Sequence, residues 1–535
     1  MTSLKPSLRS ALLASVALAL GGIATQAQEI DLTELTVDEI QTAFAAGDYT
    51  AEELTQAYLE RIETYEPVYN AFVSMNENAL EDARAIDERR AAGEELGPLA
   101  GIPIAIKEAM DVAGLPSTTG WPAMSSAAGG IDFIPQTDAP LVARLREAGA
   151  IIIGKTNIPQ FSAAYNANNS WAGPTYSAFG PDASPGGSSA GSATAVSGNF
   201  VVLATAEDTS GSIQAPAGVQ GIVGVKPTFG LVPNAGIAPL GGSLRDVGGP
   251  FARTVKDAAV MLDVIAGYSP ADPKTVASIG HTPEGGYTSM LSETALEGAR
   301  IGLYGPGFED TPLSEETEAL YQQAIAELEA QGATVIEDPF AGTDFAALAK
   351  DRSGLGIESM AYDMGLWLQR MGPDVPAHTL AELTEVLGAN PFGEDSVASR
   401  FVPPETLKDP TSPPDLTEFV EVREQYLSLW EEVMEAHDLD ALVFPHDHNG
   451  TPTRLEGGHS VVAVPEINIG GTPGVVVPAG QYENGMPFSL IFLGPQWSEG
   501  QLLAYAYDYE QATHHRIVPE LADTPFDDVA MAAAE

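Results

Sequence analysis

The chain has 535 residues, with 74 Asp and Glu against 24 Lys and Arg, for a formal net charge of −50. Such a surface repels nucleic acid and anionic membranes, so neither is expected as a partner, and it suits a saline setting that screens self-repulsion. Hydrophobic residues at 44% and five Trp allow a large core, while the absence of cysteine excludes disulfides, thiolate metal sites and a cysteine nucleophile.

In chain order, residues 1–27 read as a secretory signal. Lys5 and Arg9 give a positive start, 11–23 an apolar run, and Thr25-Gln26-Ala27 small residues at the cleavage positions. The run of about 13 residues is short for a membrane span, so 28–535 is expected as one exported domain, periplasmic or secreted. Thr36 with Glu39 and Thr50 with Glu53 are capping-box pairs that predict two helices. The second is carried by Leu54, Tyr58, Ile62 and Tyr65 and is expected to end at Pro67. A third helix is predicted over 78–92.

From there, short apolar runs alternate with helical patterns. Strands are predicted over 101–106, 150–154, 200–205, 221–225, 301–304, 333–336 and 440–444. Helices are predicted over 137–148, 314–331 and 416–437, and a Pro-rich surface loop over 393–415. The pattern points to a single large α/β/α domain whose central sheet is mixed, mostly parallel, and covered by helices on both faces.

Three features carry possible chemistry. Lys107 closes the apolar run Gly101-Ile-Pro-Ile-Ala-Ile106. Burial disfavours an ammonium, which would leave a neutral amine able to act as a general base. The plainer alternative is a strand-end lysine that reaches water or pairs with Glu108. Pro185-Gly-Gly-Ser-Ser-Ala-Gly-Ser192 offers hydroxyls on closely packing backbone, although Gly/Ser runs are usually loops. Asp208-Thr-Ser-Gly-Ser-Ile-Gln214 follows a strand, and Gly211 allows a turn whose N–H groups converge as an oxyanion requires. Standing alone, that motif reads first as a tight turn capped by Asp208.

Together these motifs resemble the amidase signature family. Gly186-Gly-Ser-Ser-Ala-Gly-Ser192, Asp208-Thr-Ser-Gly-Ser-Ile213 and Gly221-Ile-Val-Gly-Val-Lys-Pro-Thr228 follow the order of that family's signature, with Ser188 and Ser212 24 residues apart. Gly101 to Lys107 is similar to its lysine strand, Gly154-Lys-Thr-Asn157 to a further motif, and 471–491 to its closing strands. The likeness covers the chain beyond the signal and is most specific over 99–253. The tail 497–510 is similar to the branch of exported bacterial peptide amidases.

The resemblance implies a cofactor-free amidase with a Lys107–Ser188–Ser212 triad. In it, Lys107 takes a proton from Ser188 and Ser188 from Ser212, which attacks the carbonyl to form an acyl-enzyme. It also implies a cis peptide before Ser188, an oxyanion hole from the N–H groups of Thr209, Ser210, Gly211 and Ser212, and supporting roles for Ser189 and Asp208. The substrate is then a small or peptide amide, and the protein a monomer or homodimer. Two departures stand out: Ser210 where the family usually has Gly, and Gln214 where many members have Arg.

Other motifs compete with this reading. Gly149-Ala-Ile-Ile-Ile-Gly-Lys-Thr156 fits the phosphate-loop pattern, yet its Ile run predicts a strand. Gly187-Ser-Ser-Ala-Gly191 fits a nucleophile elbow at Ser189, with His446, His448 or His514 as base, but strand-breaking residues precede it. The pair His446 and His448 reads as pocket lining rather than a metal site, and His514-His515 as solvated. A third possibility is the amidase component of a transamidation complex.

Overall fold

The computed structural model describes residues 30–535 except 166–167, 350–353, 394–395, 401, 403–406, 408, 455–458, 463, 525 and 527–535. The expected signal segment therefore lies outside the described residues. Thr36 and Thr50 each accept, on the side-chain oxygen, the N–H of the glutamate three residues on and donate their own backbone N–H to its carboxylate, starting helices Val37–Ala46 and Ala51–Tyr69. Pro67 does not end the second helix. It falls in the last turn, and the chain leaves through Asn70 in a left-handed conformation (φ 48°). Glu66 then takes the N–H groups of Ala71 and Phe72 at 3.0 and 2.7 Å.

Among the described residues thirteen strands follow in chain order. They are β1 (Phe72–Met75), β2 (Pro103–Lys107), β3 (Ile151–Thr156), β4 (Asn168–Asn169), β5 (Gly173–Pro174), β6 (Leu203–Asp208) and β7 (Val223–Lys226). After them come β8 (Val247–Ala252), β9 (Arg300–Leu303), β10 (Thr334–Ile336), β11 (Ala441–Pro445), β12 (Gly474–Gln481) and β13 (Pro487–Leu493). Strands β4 and β5 form a small ribbon. The other eleven make one sheet in the order β1-β3-β2-β6-β8-β7-β12-β13-β11-β9-β10. The described residues from Leu32 onward form a single compact unit.

The sheet is mixed as expected, but it is not mostly parallel. Four ladders are parallel (β2–β3, β2–β6, β9–β11, β9–β10) and six are antiparallel. The reason lies in the connections. Parallel neighbours need a crossover, whereas β12 and β13 are joined by a short hairpin and β7 returns to β8 through an irregular loop with no helix. Strands β2, β3, β6, β7, β8, β11 and β13 are buried at every residue, so helices cover both faces there.

The candidate phosphate loop is β3 itself. Lys155 is spent on Pro116 O at 2.9 Å and Ser117 Oγ at 3.0 Å, with Glu108 at 3.8 Å. Because β3, β2 and β6 run parallel side by side, their carboxyl ends at Thr156, Lys107 and Asp208 lie along one edge. Ligands gather at such an edge in α/β sheets. Among the described residues, no helix is long and apolar enough to cross a membrane.

Candidate active site

Lys107 ends β2 with no solvent exposure. Its Nζ lies 2.8 Å from Ser188 Oγ, 2.9 Å from the Glu207 carbonyl and 2.8 Å from Glu207 Oε2. It neither reaches water nor pairs with Glu108. Its ionic partner is Glu207, at the end of β6, so the amine faces both a hydroxyl and a buried carboxylate. Glu207 was not among the expected site residues. The signal was there to find, since two successive acids, Glu207 and Asp208, close an otherwise apolar strand.

Ser188 follows a cis Gly187–Ser188 peptide, the form the resemblance implied. The helix Ala190–Ser197 starts directly after Ser189, and all its residues are buried. Gly186 has φ 74°, and a Cβ there would stand 2.4 Å from Pro216 Cα, so only glycine lets these backbones meet. Ser189 Oγ donates to the Glu207 carbonyl at 3.2 Å and accepts the Glu207 N–H at 3.3 Å. No histidine ring is hydrogen-bonded to Ser189 among the described residues.

The turn after β6 is held by Asp208. Its carboxylate accepts the N–H groups of Gly211 at 2.7 Å, Ile213 at 2.6 Å and Gln214 at 3.4 Å, and the Asn468 amide at 2.6 Å. This corrects one expectation: the Gly211 N–H is taken by Asp208 and is not free for an oxyanion. Gly211 serves the turn through its φ of 99° instead. The N–H groups of Thr209, Ser210 and Ser212 have no acceptor among the described hydrogen bonds.

Arg245 braces the turn from outside, donating to Thr209 O at 3.0 Å and Ser210 Oγ at 2.7 Å. Burial lowers its pKa, against the pull of Tyr165 and Asp246. The serine at 210 thus has a partner that glycine would lack. Tyr165 OH donates to the Ser210 carbonyl.

Ser212 is 6% exposed, whereas Lys107 and Ser188 are fully buried. The structure brings Lys107 and Ser188 together but forms no hydrogen bond between Ser188 and Ser212. Gln214 is buried, with neither its amide oxygen nor its nitrogen paired to protein.

The histidines have other partners. His446 Nδ1 lies 3.2 Å from Ser489 O, and His448 contacts Ser460 O at 2.6 Å and Tyr304 OH at 3.0 Å. His459 Nε2 is 2.8 Å from Ser184 Oγ, and burial lowers its pKa to about 4 despite Asp447. His514 caps the helix Glu499–Thr513, while His515 is not simply solvated, since it pairs with Glu327 at 2.9 Å.

A buried lysine, a cis-linked serine and a serine turn held by Asp208 thus lie at the carboxyl edge of a mixed sheet. The sequence profile of the Amidase family matches residues 53–503, and the chain belongs to that family. It is 33% identical over 499 residues to a glutamyl-tRNA(Gln) amidotransferase subunit from Chromohalobacter salexigens, covering 89% of this chain and 96% of that one. The native peptide amidase of Stenotrophomonas maltophilia superposes with a TM-score of 0.75 at 32% identity, covering 91% of this chain and 99% of that one. An amidase family protein from Bacillus anthracis gives a TM-score of 0.75 at 28% identity, over 94% of this chain and 96% of that one. The protein is accordingly an amidohydrolase acting on carbon–nitrogen bonds.

Proposed function

We propose that the protein cleaves a carboxamide through Ser212, Ser188 and Lys107, releasing a carboxylic acid and ammonia or an amine. The observation that carries this reading is the 2.8 Å contact of Lys107 Nζ with Ser188 Oγ, sealed from solvent. Lys107 accepts a proton from Ser188 and Ser188 one from Ser212, whose oxygen attacks the carbonyl carbon. This requires a rotamer change, bound substrate or a water to join the two serines. The N–H groups of Thr209, Ser210 and Ser212 stabilise the oxyanion, at about 3 kcal/mol per donor. Ser188 then returns its proton to the leaving nitrogen, and water releases the acyl group from Ser212. Ser189 holds the backbone of Glu207 and Asp208 holds the turn.

Gln214, with a free amide donor and acceptor in the buried site, is the group we assign to meet the substrate. A neutral amide in place of arginine favours an uncharged substrate end over a carboxylate. Peptide C-terminal amides fit that chemistry, and the likeness to a peptide amidase supports it. We also propose that residues 1–27 direct export, so that hydrolysis takes place in the periplasm or outside the cell.

A second reading is supported by the 33% identity to the amidotransferase: a chain that delivers ammonia to a partner protein. Ammonia release by the purified chain from a panel of peptide amides, simple amides and glutamine, at low and high salt, tests both. Turnover of peptide amides without any added protein supports the first reading. Release from glutamine alone, and only with a partner, supports the second.

A further inference from the structure

A buried chain of hydrogen bonds leads from Lys107 to Asp246. Glu207 Oε2 receives Lys107 Nζ at 2.8 Å, and Glu207 Oε1 receives Thr209 Oγ1 at 2.8 Å. The same Thr209 hydroxyl lies 2.5 Å from Asp246 Oδ1. No member of this chain is more than 1% exposed. At its far end Asp246 lines a cavity of about 470 Å³, shared with Asn234, Pro239, Lys274, Asp363 and Arg370. Ser188, Ser189 and Ser212 do not line that cavity.

Counting protons shows what the chain can do. An ammonium offers three donors, whereas a neutral amine offers two and a lone pair. Lys107 has three contacts, to Ser188 and to two oxygens of Glu207. To accept from Ser188 it must therefore lose one proton while still donating twice to Glu207. At the other end, one Thr209 hydroxyl proton lies between two carboxylates. A proton on Asp246 satisfies both, because Asp246 then donates to Thr209 and Thr209 to Glu207. Burial, and next the charge of Glu207, raise the Asp246 carboxyl to about 7.

We propose that Glu207 is a positioning residue for Lys107, and that the chain Glu207–Thr209–Asp246 takes the proton this lysine must give up. The inference rests on Lys107 being the base. An N–H bond of Lys107 breaks as an O–H bond forms on Glu207, and a half-turn of that carboxyl presents the proton to Thr209. Thr209 accepts it and passes its own proton to Asp246 Oδ1. One proton moves, the amine becomes neutral, Asp246 becomes neutral, and no electrons change hands. The cavity lined by Asp246 supplies the exchange with solvent.

The other charged groups facing the chain are left in place in every variant. They are Arg245, tied to Thr209, Ser210 and Leu355; Asp208, bound by its turn and Asn468; and Lys274, Arg370, Asp272 and Asp363 around the cavity.

The experiment is the pH profile of kcat/KM for ammonia release by the full chain and its variants, each with a thermal melt. Asp246→Asn and Thr209→Val remove the proton's destination and shift the acid limb to higher pH by about one unit or more. Glu207→Gln removes the carboxylate that holds the proton on the amine and shifts the limb to lower pH by a similar amount. Opposite shifts are the expected result, and Thr209→Val stands in if Asp246→Asn does not fold. Limbs that stay in place, whatever the loss of rate, overturn the proposal. Lys107→Ala separates the two readings: retained turnover sinks the base assignment itself, whereas an inactive Lys107→Ala with unmoved limbs sinks only the chain.

Discussion

Around β2, β6 and the turn that follows, the buried charged side chains are Lys107, Glu207, Asp208, Arg245 and Asp246, set among small residues and the aliphatic Ile104, Ile106 and Leu203. Around β9 and β11 they are Phe308, Phe340, Phe345, Tyr426, Trp430 and Phe444. There the rings pack at 4.7 Å for Phe308 with Phe444 and for Phe340 with Phe345, and at 4.8 Å for Phe308 with Phe345. Small residues let backbones approach and leave charge to be satisfied by hydrogen bonds. Large rings fill volume and bring little chemistry. One region is thus built to hold polar groups in place and the other to keep the sheet folded. Changes in the first should appear as rate, and in the second as stability.

The sharpest test lies at Ser212. Ser212→Ala should lower kcat by a factor on the order of 10⁴ or more, as loss of a nucleophile does in other serine hydrolases. The melting temperature should hardly move, because the Ser212 hydroxyl has no protein partner among the described residues. Full activity in Ser212→Ala, lost instead in Ser189→Ala, would pass the nucleophile to Ser189 and break the assignment.

In the aromatic region the opposite is expected. Trp430 is 3% exposed and packs edge-on to Phe308 with ring centroids 6.0 Å apart. Trp430→Ala should cost about 3–5 kcal/mol of stability, the usual range for emptying a large core position. Urea unfolding gives the loss, and kcat/KM per folded molecule should be unchanged. A large rate effect at constant stability would mean that the two regions are mechanically joined.

The sequence made these regions unequally readable. Capping pairs at Thr36 and Thr50, the apolar run into Lys107 and the serine-rich turns are local signals, and the elements they predict are present with shifted ends. Strand β8 gives no such signal. Val247-Gly-Gly-Pro-Phe-Ala252 carries a proline in the middle of a central strand, where a ladder donor is lost. Its glycines answer to a neighbour, since a Cβ on Gly249 would lie 2.0 Å from Val225 O. That contact is long-range and has no local periodicity. The same holds for Arg245 and Asp246, which sit in an irregular loop and reach the site only because β8 pairs with β6. Glu207 was missed for another reason. Its position beside Asp208 was visible, but its partner, Lys107, lies 100 residues away. The mostly parallel sheet failed on topology: apolar runs mark strands but not their direction.

Asp208 offers a finer cut within the polar region. Its two oxygens hold the N–H groups of Gly211 and Ile213 and the Asn468 amide. Asp208→Asn exchanges one acceptor for a donor, which repels one of those N–H groups and loosens the turn that aims Ser212. A loss of about 10²–10³-fold in kcat is expected, the size of effect that follows from a misplaced oxyanion donor. KM should change far less. A defect confined to KM would mean that the turn binds substrate rather than shaping the oxyanion site.

The smallest effect is expected at a position in neither region. Thr50 caps the helix Ala51–Tyr69 by accepting the Glu53 N–H at 3.1 Å. It is not alone there, because Asp87 accepts the N–H groups of Ala51 and Glu52, both at 2.9 Å. Thr50→Ala therefore exposes one helical donor and leaves two satisfied, which places its cost at the low end of the capping range, about 0.5–1 kcal/mol. The helix buries Leu54, Tyr58 and Ile62 and would stay docked. A slightly lower melting temperature with unaltered kcat/KM is the expected result. A clear fall in kcat/KM would tie this helix to the serines through the core it covers, and the division between a polar region for rate and an aromatic one for stability would have to be redrawn.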